Sequence, residues 1–311
     1  MNLSSAGLAS YFSLFSMPLA ALAAVLLDRL LGEAPRFHPL VGFGKLAAVL
    51  EKRLNQRTRR AGILSWLIAV LPALGLAFWL RQFAPFLVDV GLLYFALGAQ
   101  SLAEHAEAVA QPLRQGRLDE ARQRVGWIVS RETAQLDASG IAKAGVESVL
   151  ENGNDAIFGT LFWFALLGGP GALLFRLANT LDAMWGYRTV RFNHFGWGAA
   201  HIDDLLNWLP ARLTALTYAL LGQTRNALNC WRRQAPAWDS PNAGPVMAAG
   251  AGSLGIQLGG AAIYHGKAEI RPPLGNGPAP VAADLGRAII LIRHSLWLWL
   301  GVFFLIGFLH A

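Results

Sequence analysis

Residues 62–80 read GILSWLIAVLPALGLAFWL, with the basic run Glu51 to Arg60 ahead of them and Arg81 behind. A helix that crosses a bilayer needs roughly 20 mostly apolar residues, so this stretch reads as a span. Three others have the same character: Leu8 to Leu27, Pro85 to Ala103 with the lone Asp89, and Ala288 to Leu309 with Arg293 near its start. A fifth, Ala156 to Phe175, is uncharged but is interrupted by Gly168-Gly169-Pro170-Gly171. Proline removes a backbone donor and glycine weakens a helix, so a re-entrant or hairpin segment is expected there. Residues 205–221 are interrupted in a similar way. Such backbone is tolerated at membrane depth only where protein or water satisfies it.

The composition agrees. Hydrophobic residues make up 54% of the 311-residue chain and charged residues 14%, with 11 Trp and 17 Phe. A typical soluble chain carries about 25% charged residues. The expected fold class is an all-α integral membrane protein with about four to six transmembrane or re-entrant helices. No strand is expected. Residues 1–27 carry no charge and the first basic residue, Arg29, follows the apolar stretch. A secretory signal has its positive charge first, so this is read as a retained span.

The loop from Glu51 to Arg60 holds Lys52, Arg53, Arg57, Arg59 and Arg60, which assigns it to the cytoplasm by the positive-inside rule. Two spans later the chain returns to the same side. Residues 104–155 then read as a charged, cytoplasmic helical insert within a single polytopic domain of residues 1–311. Residues 225–287 read as a mixed polar and Gly-rich loop region, with Arg271 to Pro278 as a surface loop. The net charge of +7 rests on arginine: of 26 basic residues only Lys45, Lys52, Lys143 and Lys267 are lysine. Arginine suits bidentate recognition of phosphate and carboxylate, and it also serves membrane topology. No basic run with interleaved aromatics suggests nucleic acid. The single Cys230 excludes an internal disulfide and a cysteine-rich metal site.

Four polar clusters stand out. The first is SRET at 130–133 followed by Glu147, Glu151, Asn152 and Asp155. On a helix Glu147, Glu151 and Asp155 share one face, where like charges repel unless Mg²⁺, Arg131 or Lys143 offsets them. A solvated helix face is the plainer reading. The second runs from Arg176 through Asn179 and Asp182 to Tyr187 and Arg188, beside an apolar segment where such groups are costly unless paired or functional. A structural ion pair is the alternative. The third holds His201, Asp203, Asp204, Asn207 and Arg212, whose oxygen ligands at helical spacing suit Mg²⁺ with a nucleotide or phosphate. Asp203 as a helix N-cap is the alternative there. The fourth is Ser240-Pro241-Asn242-Ala243-Gly244, leading into the uncharged stretch Pro245 to Ile263, whose five glycines either cradle phosphate or let helices pack closely. Gly42-Phe43-Gly44-Lys45 lacks the spacing of a phosphate-binding P-loop.

These clusters, with Asp28-Arg29-Leu30-Leu31-Gly32-Glu33 and His38-Pro39 ahead of them, resemble the CobD/CbiB family in order and spacing. The matching stretches are SRET at 130, VESVLENGNDA at 146, NTLDAMWGYR at 179, FGWGAAHIDDLLNWLPARLTA at 195 and SPNAG at 240. Pro245-Val246-Met247 departs from the Trp-Pro-Glu continuation of many relatives.

The resemblance implies an enzyme of cobalamin biosynthesis, an adenosylcobinamide-phosphate synthase. Such a ligase uses ATP to join adenosylcobyric acid to (R)-1-amino-2-propanol or its O-phosphate. It also implies Mg²⁺, ATP as cosubstrate, a corrinoid substrate and a multi-pass place in the bacterial inner membrane with a cytoplasmic active face. Homo-oligomers or other corrin-pathway enzymes are further partners it leaves open.

On that reading Glu147, Glu151, Asp182, Asp203 and Asp204 are the candidate catalytic residues. Asp203, Asp204, Asn207, Glu147 and Glu151 are the candidate metal ligands. Arg131, Asn152, Arg176, Asn179, Tyr187, Arg188, Asn207, Arg212, Ser240 and Asn242 are the candidates for substrate and phosphate. A membrane prenyltransferase with a Mg-diphosphate site, and a non-catalytic transporter or signalling protein, are the competing readings.

Overall fold

The structure, a computed structural model, describes residues 5–33, 39–264 and 266–309, with side chains from residue 16 onward. His38 lies outside the described residues, as do the side chains of 8–15 in the first expected span. The described chain is mostly helical. Its helices are α1 (Ser5–Leu31), α2 (Pro39–Leu54), α3 (Arg59–Arg81), α4 (Pro85–Ala96), α5 (Ala99–Arg114), α6 (Leu118–Val125), α7 (Ala138–Gly153), α8 (Gly159–Leu167), α9 (Gly169–Trp185), α10 (Trp197–Leu221), α11 (Thr224–Gln234), α12 (Ala243–Leu254) and α13 (Ala282–Leu309). A π-helical turn, Asn154–Phe158, joins α7 to α8.

Among the described residues three helical runs are long and apolar enough to cross a membrane: Arg59–Arg81, Pro85–Arg114, which comprises α4 and α5, and Ala282–Leu309. They contain the expected stretches 62–80, 85–103 and 288–309. Much of their apolar surface faces outward, including Leu64, Leu67, Ile68, Leu71, Phe78 and Trp79 on α3. Contiguous apolar surface of this kind marks a face made for a partner or for lipid.

The chain divides into two compact units. Unit 1 comprises residues 1–98, 155–207 and 298–311. Here α9 is the central element, packed by α2, α3, α4 and α8, while α1 packs on α4. Its core is built by Trp66 and Val70 of α3, Leu173, Leu177, Leu181 and Trp185 of α9, and Phe195. Helix α3 starts where the Thr58 hydroxyl accepts the Ala61 amide at 3.3 Å, an N-cap that replaces a missing helical bond.

The glycine-proline interruption breaks the chain into two helices, as its residues lead one to expect. Gly168 ends α8 at φ +67, a conformation L side chains rarely adopt, and α9 starts at the next residue. Nine residues make α8 about 14 Å long, short of the roughly 30 Å hydrocarbon layer. The lone Asp89 of α4 is accounted for here. Its Oδ1 accepts the Gly169 amide at 2.8 Å and the Arg81 Nε at 2.9 Å, and its Oδ2 accepts an Arg81 amino group at 3.1 Å.

Unit 2 comprises residues 99–154 and 208–297. Helix α7 packs on α5, α6 and α12, and α12 packs on α11. Every residue of α12 is buried. A Cβ on Gly250 would lie 2.7 Å from the Leu150 side chain, and one on Gly252 would lie 2.7 Å from the Ala227 Cα. The small residues of this stretch therefore serve close helix packing.

The all-α expectation needs one correction. β1 (Gln257–Tyr264) and β2 (Lys267–Gly275) pair antiparallel, with an irregularity between Leu258 and Gly260. The surface-loop reading of residues 271–278 is corrected with it: Arg271 to Gly275 belong to β2, and Leu274 is fully buried. Pro272 and Pro273 can stand in β2 because they fall where the pairing with β1 is irregular, between the Leu258–Leu274 and Gly260–Arg271 pairs, and β2 has an open edge on its other side.

Candidate functional site

In unit 2 the first cluster converges on Glu147. Residues 138–153 form a helix because Asp137 caps it, its Oδ1 accepting the Gly140 amide at 2.6 Å, and because Ile141, Val146, Val149 and Leu150 supply a buried face. Glu147 lies on that buried side, only 2% exposed. Its carboxylate accepts hydrogen bonds from Arg131, from Arg271 at 2.8 and 3.2 Å, and from the Gly259 amide at 2.7 Å. Burial by itself would raise the Glu147 carboxyl, but Arg131 and Arg271 outweigh it and hold the group below its usual value. The carboxylate thereby accepts four hydrogen bonds. Arg131 offsets it as expected; Arg271 does so as well, and sequence reasoning had missed it.

A cleft of about 270 Å³ opens beside this triad, lined by Ser130, Arg131, Glu147, Ser148, Glu151, Asn152, Trp238, Tyr264 and Arg271 among others. The Asn152 side chain donates to the Ser148 carbonyl at 2.8 Å, and the Ser148 hydroxyl donates to the Ile128 carbonyl at 2.8 Å, which fixes this wall. Trp238 also borders a second, more open cleft of about 430 Å³ with Arg212, Trp231 and Arg232. Arg212 donates to the Asn242 Oδ1 at 2.8 Å and to the Pro241 carbonyl at 3.0 Å, and its guanidinium stacks 4.6 Å from the Trp208 ring centroid. Ser240 Oγ accepts the Ala243 amide at 3.1 Å at the start of α12. The polar groups of Ser240 and Asn242 thus shape the local backbone and hold Arg212.

Unit 1 gathers the second and third clusters. Asp182 of α9, Asp203 and Asp204 of α10, and Asp155 of the π-helical turn lie close enough for their charges to act on one another. Asp203 is 8% exposed. Its Oδ2 accepts the Asn207 amide group at 3.1 Å, while its Oδ1 is buried with no hydrogen-bond partner among the described residues. Burial first, then Asp155 and Asp182, push the Asp203 carboxyl well above the usual carboxylate range. Asp182 is pushed up to about 6 by burial and by Asp204 and Asp155. Asp204 is raised by burial, against the pull of His201 and Arg188. Gly186 leaves room for this arrangement, since a Cβ there would lie 2.1 Å from Asp182 Oδ1.

Arg176 reaches the same neighbourhood, its guanidinium lowered by burial but held charged by Glu33 and Asp155. Asn179 is half-buried on α9, and Tyr187 and Arg188 are exposed just beyond its end. Glu33 and Asp155 are the members of this group that the candidate residues left out. Asp155 was legible in the VESVLENGNDA stretch, but the helical ladder tied it to Glu147, and the π-helical turn breaks that ladder.

Among the described residues no three His, Cys, Asp or Glu side chains converge closely enough to enclose a metal. Mg²⁺ does not require such a cage, because it keeps several waters and binds through one or two carboxylates plus substrate phosphate. An unpartnered, buried carboxylate oxygen among further carboxylates is a donor set of that kind, so Asp203 and its neighbours fit the ion. Glu151 is half-buried and lines the cleft of unit 2.

No solved structure matches the chain. Among curated proteins it is 56% identical over 306 residues to Cobalamin biosynthesis protein CobD of Chromobacterium violaceum, covering 93% of this chain and 97% of that one. It is 57% identical over 303 residues to the protein of that name from Stutzerimonas stutzeri, covering 95% and 100%. With the Mycobacterium tuberculosis protein the figures are 39% over 283 residues, 88% and 90%. A family model described as CobD/Cbib protein matches residues 21–292, the region that holds both clusters of site residues. By that match and these identities, the chain belongs to the CobD/CbiB family.

Proposed function

We propose that this protein is an ATP-dependent amide ligase of cobalamin biosynthesis, joining adenosylcobyric acid to 1-amino-2-propanol or its O-phosphate. The observation that carries the reading is the Asp203 Oδ1, a buried carboxyl oxygen without a hydrogen-bond partner among the described residues, set among Asp155, Asp182 and Asp204. Such clustering is unfavourable for ionised carboxylates, and either a bound cation or a proton relieves it. When bound there, Mg²⁺ would offset the charge of nucleotide phosphates while a carboxylate is activated.

Asp203 and Asp204 are the carboxylates best placed to hold the ion, and Asn207 orients Asp203 by donating to its Oδ2. Arg176 and Arg188 add positive charge for phosphate oxygens from the same unit. In unit 2, Arg131 and Arg212 offer guanidinium donors for anionic or amide groups. Amide formation from a carboxylate and an amine requires activation of the first and deprotonation of the second. A carboxyl with its proton affinity raised near neutrality, as Asp182 has, suits the proton transfer.

On the same reading the protein is a multi-pass inner-membrane protein with four to six spanning or re-entrant helices and the 104–155 insert on the cytoplasmic side. The basic run between α2 and α3 supports that orientation.

The test is reconstitution. Detergent-purified protein is supplied with adenosylcobyric acid, Mg-ATP and aminopropanol phosphate, and the amide is sought by mass spectrometry, each component being omitted in turn. Asp203→Asn is expected to lower the rate by at least about 100-fold at unchanged protein level, the scale of a lost charge-stabilising group. An unaltered rate in that variant removes the acid cluster from the mechanism, and no amide in the complete mixture removes the ligase reading.

A further inference from the structure

The cleft of unit 2 holds charges of both signs in a small volume. At about 270 Å³ it is at the low end of small-molecule pockets, and a corrin macrocycle with its side chains is far too large for it. One wall is cationic. Arg131 and Arg271 have side chains only 8% and 13% exposed, and the Nε of each is buried with no acceptor among the described residues. Two guanidiniums share the one Glu147 carboxylate, so the triad carries more positive charge and more donors than that carboxylate uses. Buried donors of this kind are costly to leave unmet, and an anion is the partner that meets them best. Glu151 supplies negative charge to the same cleft, one helical turn beyond Glu147 and near enough to act on Arg271. Trp238 lines the floor, 5.4 Å from the Arg271 guanidinium to its ring centroid.

We propose that this cleft binds a small zwitterion, its anionic end on Arg131 and Arg271 and its ammonium on Glu151. Resting on the ligase reading, the occupant is the amino-alcohol phosphate, the one substrate of that reaction that is both small and of mixed charge. Arg271 then has two tasks. It keeps Glu147 paired, and it presents its remaining donor face to phosphate.

Calorimetric titration of the full-length protein in detergent, with neither nucleotide nor corrinoid present, tests the site. The probes are 1-amino-2-propanol O-phosphate, ethanolamine phosphate, inorganic phosphate and 1-amino-2-propanol. The two zwitterions are expected to bind at least about ten-fold more tightly than phosphate or amine alone, the scale of one added charged hydrogen bond. Glu151→Gln should erase that preference without weakening phosphate, and Arg271→Lys should weaken zwitterions and phosphate alike. Should Arg271→Lys fail to fold, Glu151→Gln still decides, because it leaves the three charges of the Arg131–Glu147–Arg271 triad in place. Equal affinity for zwitterion and phosphate, or a preference that survives Glu151→Gln, overturns the site.

The two readings fail separately. Zwitterion binding without amide product in the complete mixture keeps the site and discards the ligase. Amide formation with an unchanged amine KM in Glu151→Gln discards the site and keeps the ligase.

Discussion

The Asp89 Oδ1 accepts the backbone amide of Gly169 at 2.8 Å, so a carboxylate from the middle of an apolar helix caps the first turn of another. Arg81 closes the arrangement from the end of α3. Three helices of unit 1 are thereby tied at one point. Asp89→Ala should lower stability by about 1–3 kcal/mol, combining the loss of a cap with that of a partly buried pair. Arg81, 37% exposed, is partly solvated, and Arg81→Ala should cost less. Thermal unfolding in detergent ranks the two variants, and a larger loss for Arg81→Ala would contradict the capping role.

Glu147 makes unit 2 sensitive to acid. Its carboxyl lies below the ordinary value of 4.5 in the folded protein, so its contribution is complete above that pH and is lost as pH falls through the folded value. Glu147→Gln should destabilise by roughly 3–5 kcal/mol at neutral pH, because two buried guanidiniums lose their counter-charge. Melting curves between pH 7 and pH 3.5 should show a steeper decline for the wild type than for the variant below pH 4.5. Parallel curves would show that the triad does not set the acid limit.

Asp182 has the opposite sign. Its carboxyl rises from an ordinary 3.8 to about 6, so the folded state binds the proton more tightly and loses stability as pH climbs through that window. A divalent cation should reverse this, since it favours the ionised carboxylates. Added Mg²⁺ is therefore expected to raise the unfolding temperature at pH 7.5 and to do little at pH 5. Asp182→Asn should flatten the dependence. Equal stabilisation by Mg²⁺ at both pH values would count against a cation among these aspartates.

Helix α12 offers a packing test. The contact at Gly252 is with the backbone of Ala227, whereas the contact at Gly250 is with the end of the Leu150 side chain, which can turn aside. Gly252→Ala should therefore destabilise more than Gly250→Ala, within the roughly 1–3 kcal/mol range of overpacked cores. Comparison of denaturation midpoints settles the order.

The sequence was most legible where one physical rule acts alone. Long uncharged stretches identified the helices at 62–80, 85–103 and 288–309, and Gly168 with Pro170 marked the break between α8 and α9. The hairpin was hidden because Gly259, Gly260, Pro272 and Pro273 all disfavour strands, and the pairing is irregular at the glycines. Arg271 disappeared with it, since a residue read into a loop gives no hint that it is buried against Glu147. The carboxylates at 147, 151 and 155 follow a regular helical interval in the sequence, but the π-helical turn at Asn154–Phe158 breaks it. A wide turn of that kind leaves no compositional trace. Asp203 and Asn207 were readable as a pair because they stand one α-helical turn apart and do bond.

The Glu147 clasp also has a bearing on how the chain is made. Its partners Gly259 and Arg271 lie 112 and 124 residues further along. At synthesis speeds of roughly 5–20 residues per second the ribosome needs on the order of ten seconds to cover that distance. Throughout that interval α7 has emerged without the strands that complete its surroundings, and unit 2 cannot close until its second segment arrives. The nascent protein must therefore be kept from aggregating during translation, and a chain truncated before residue 271 should be recognised by quality control as unfinished.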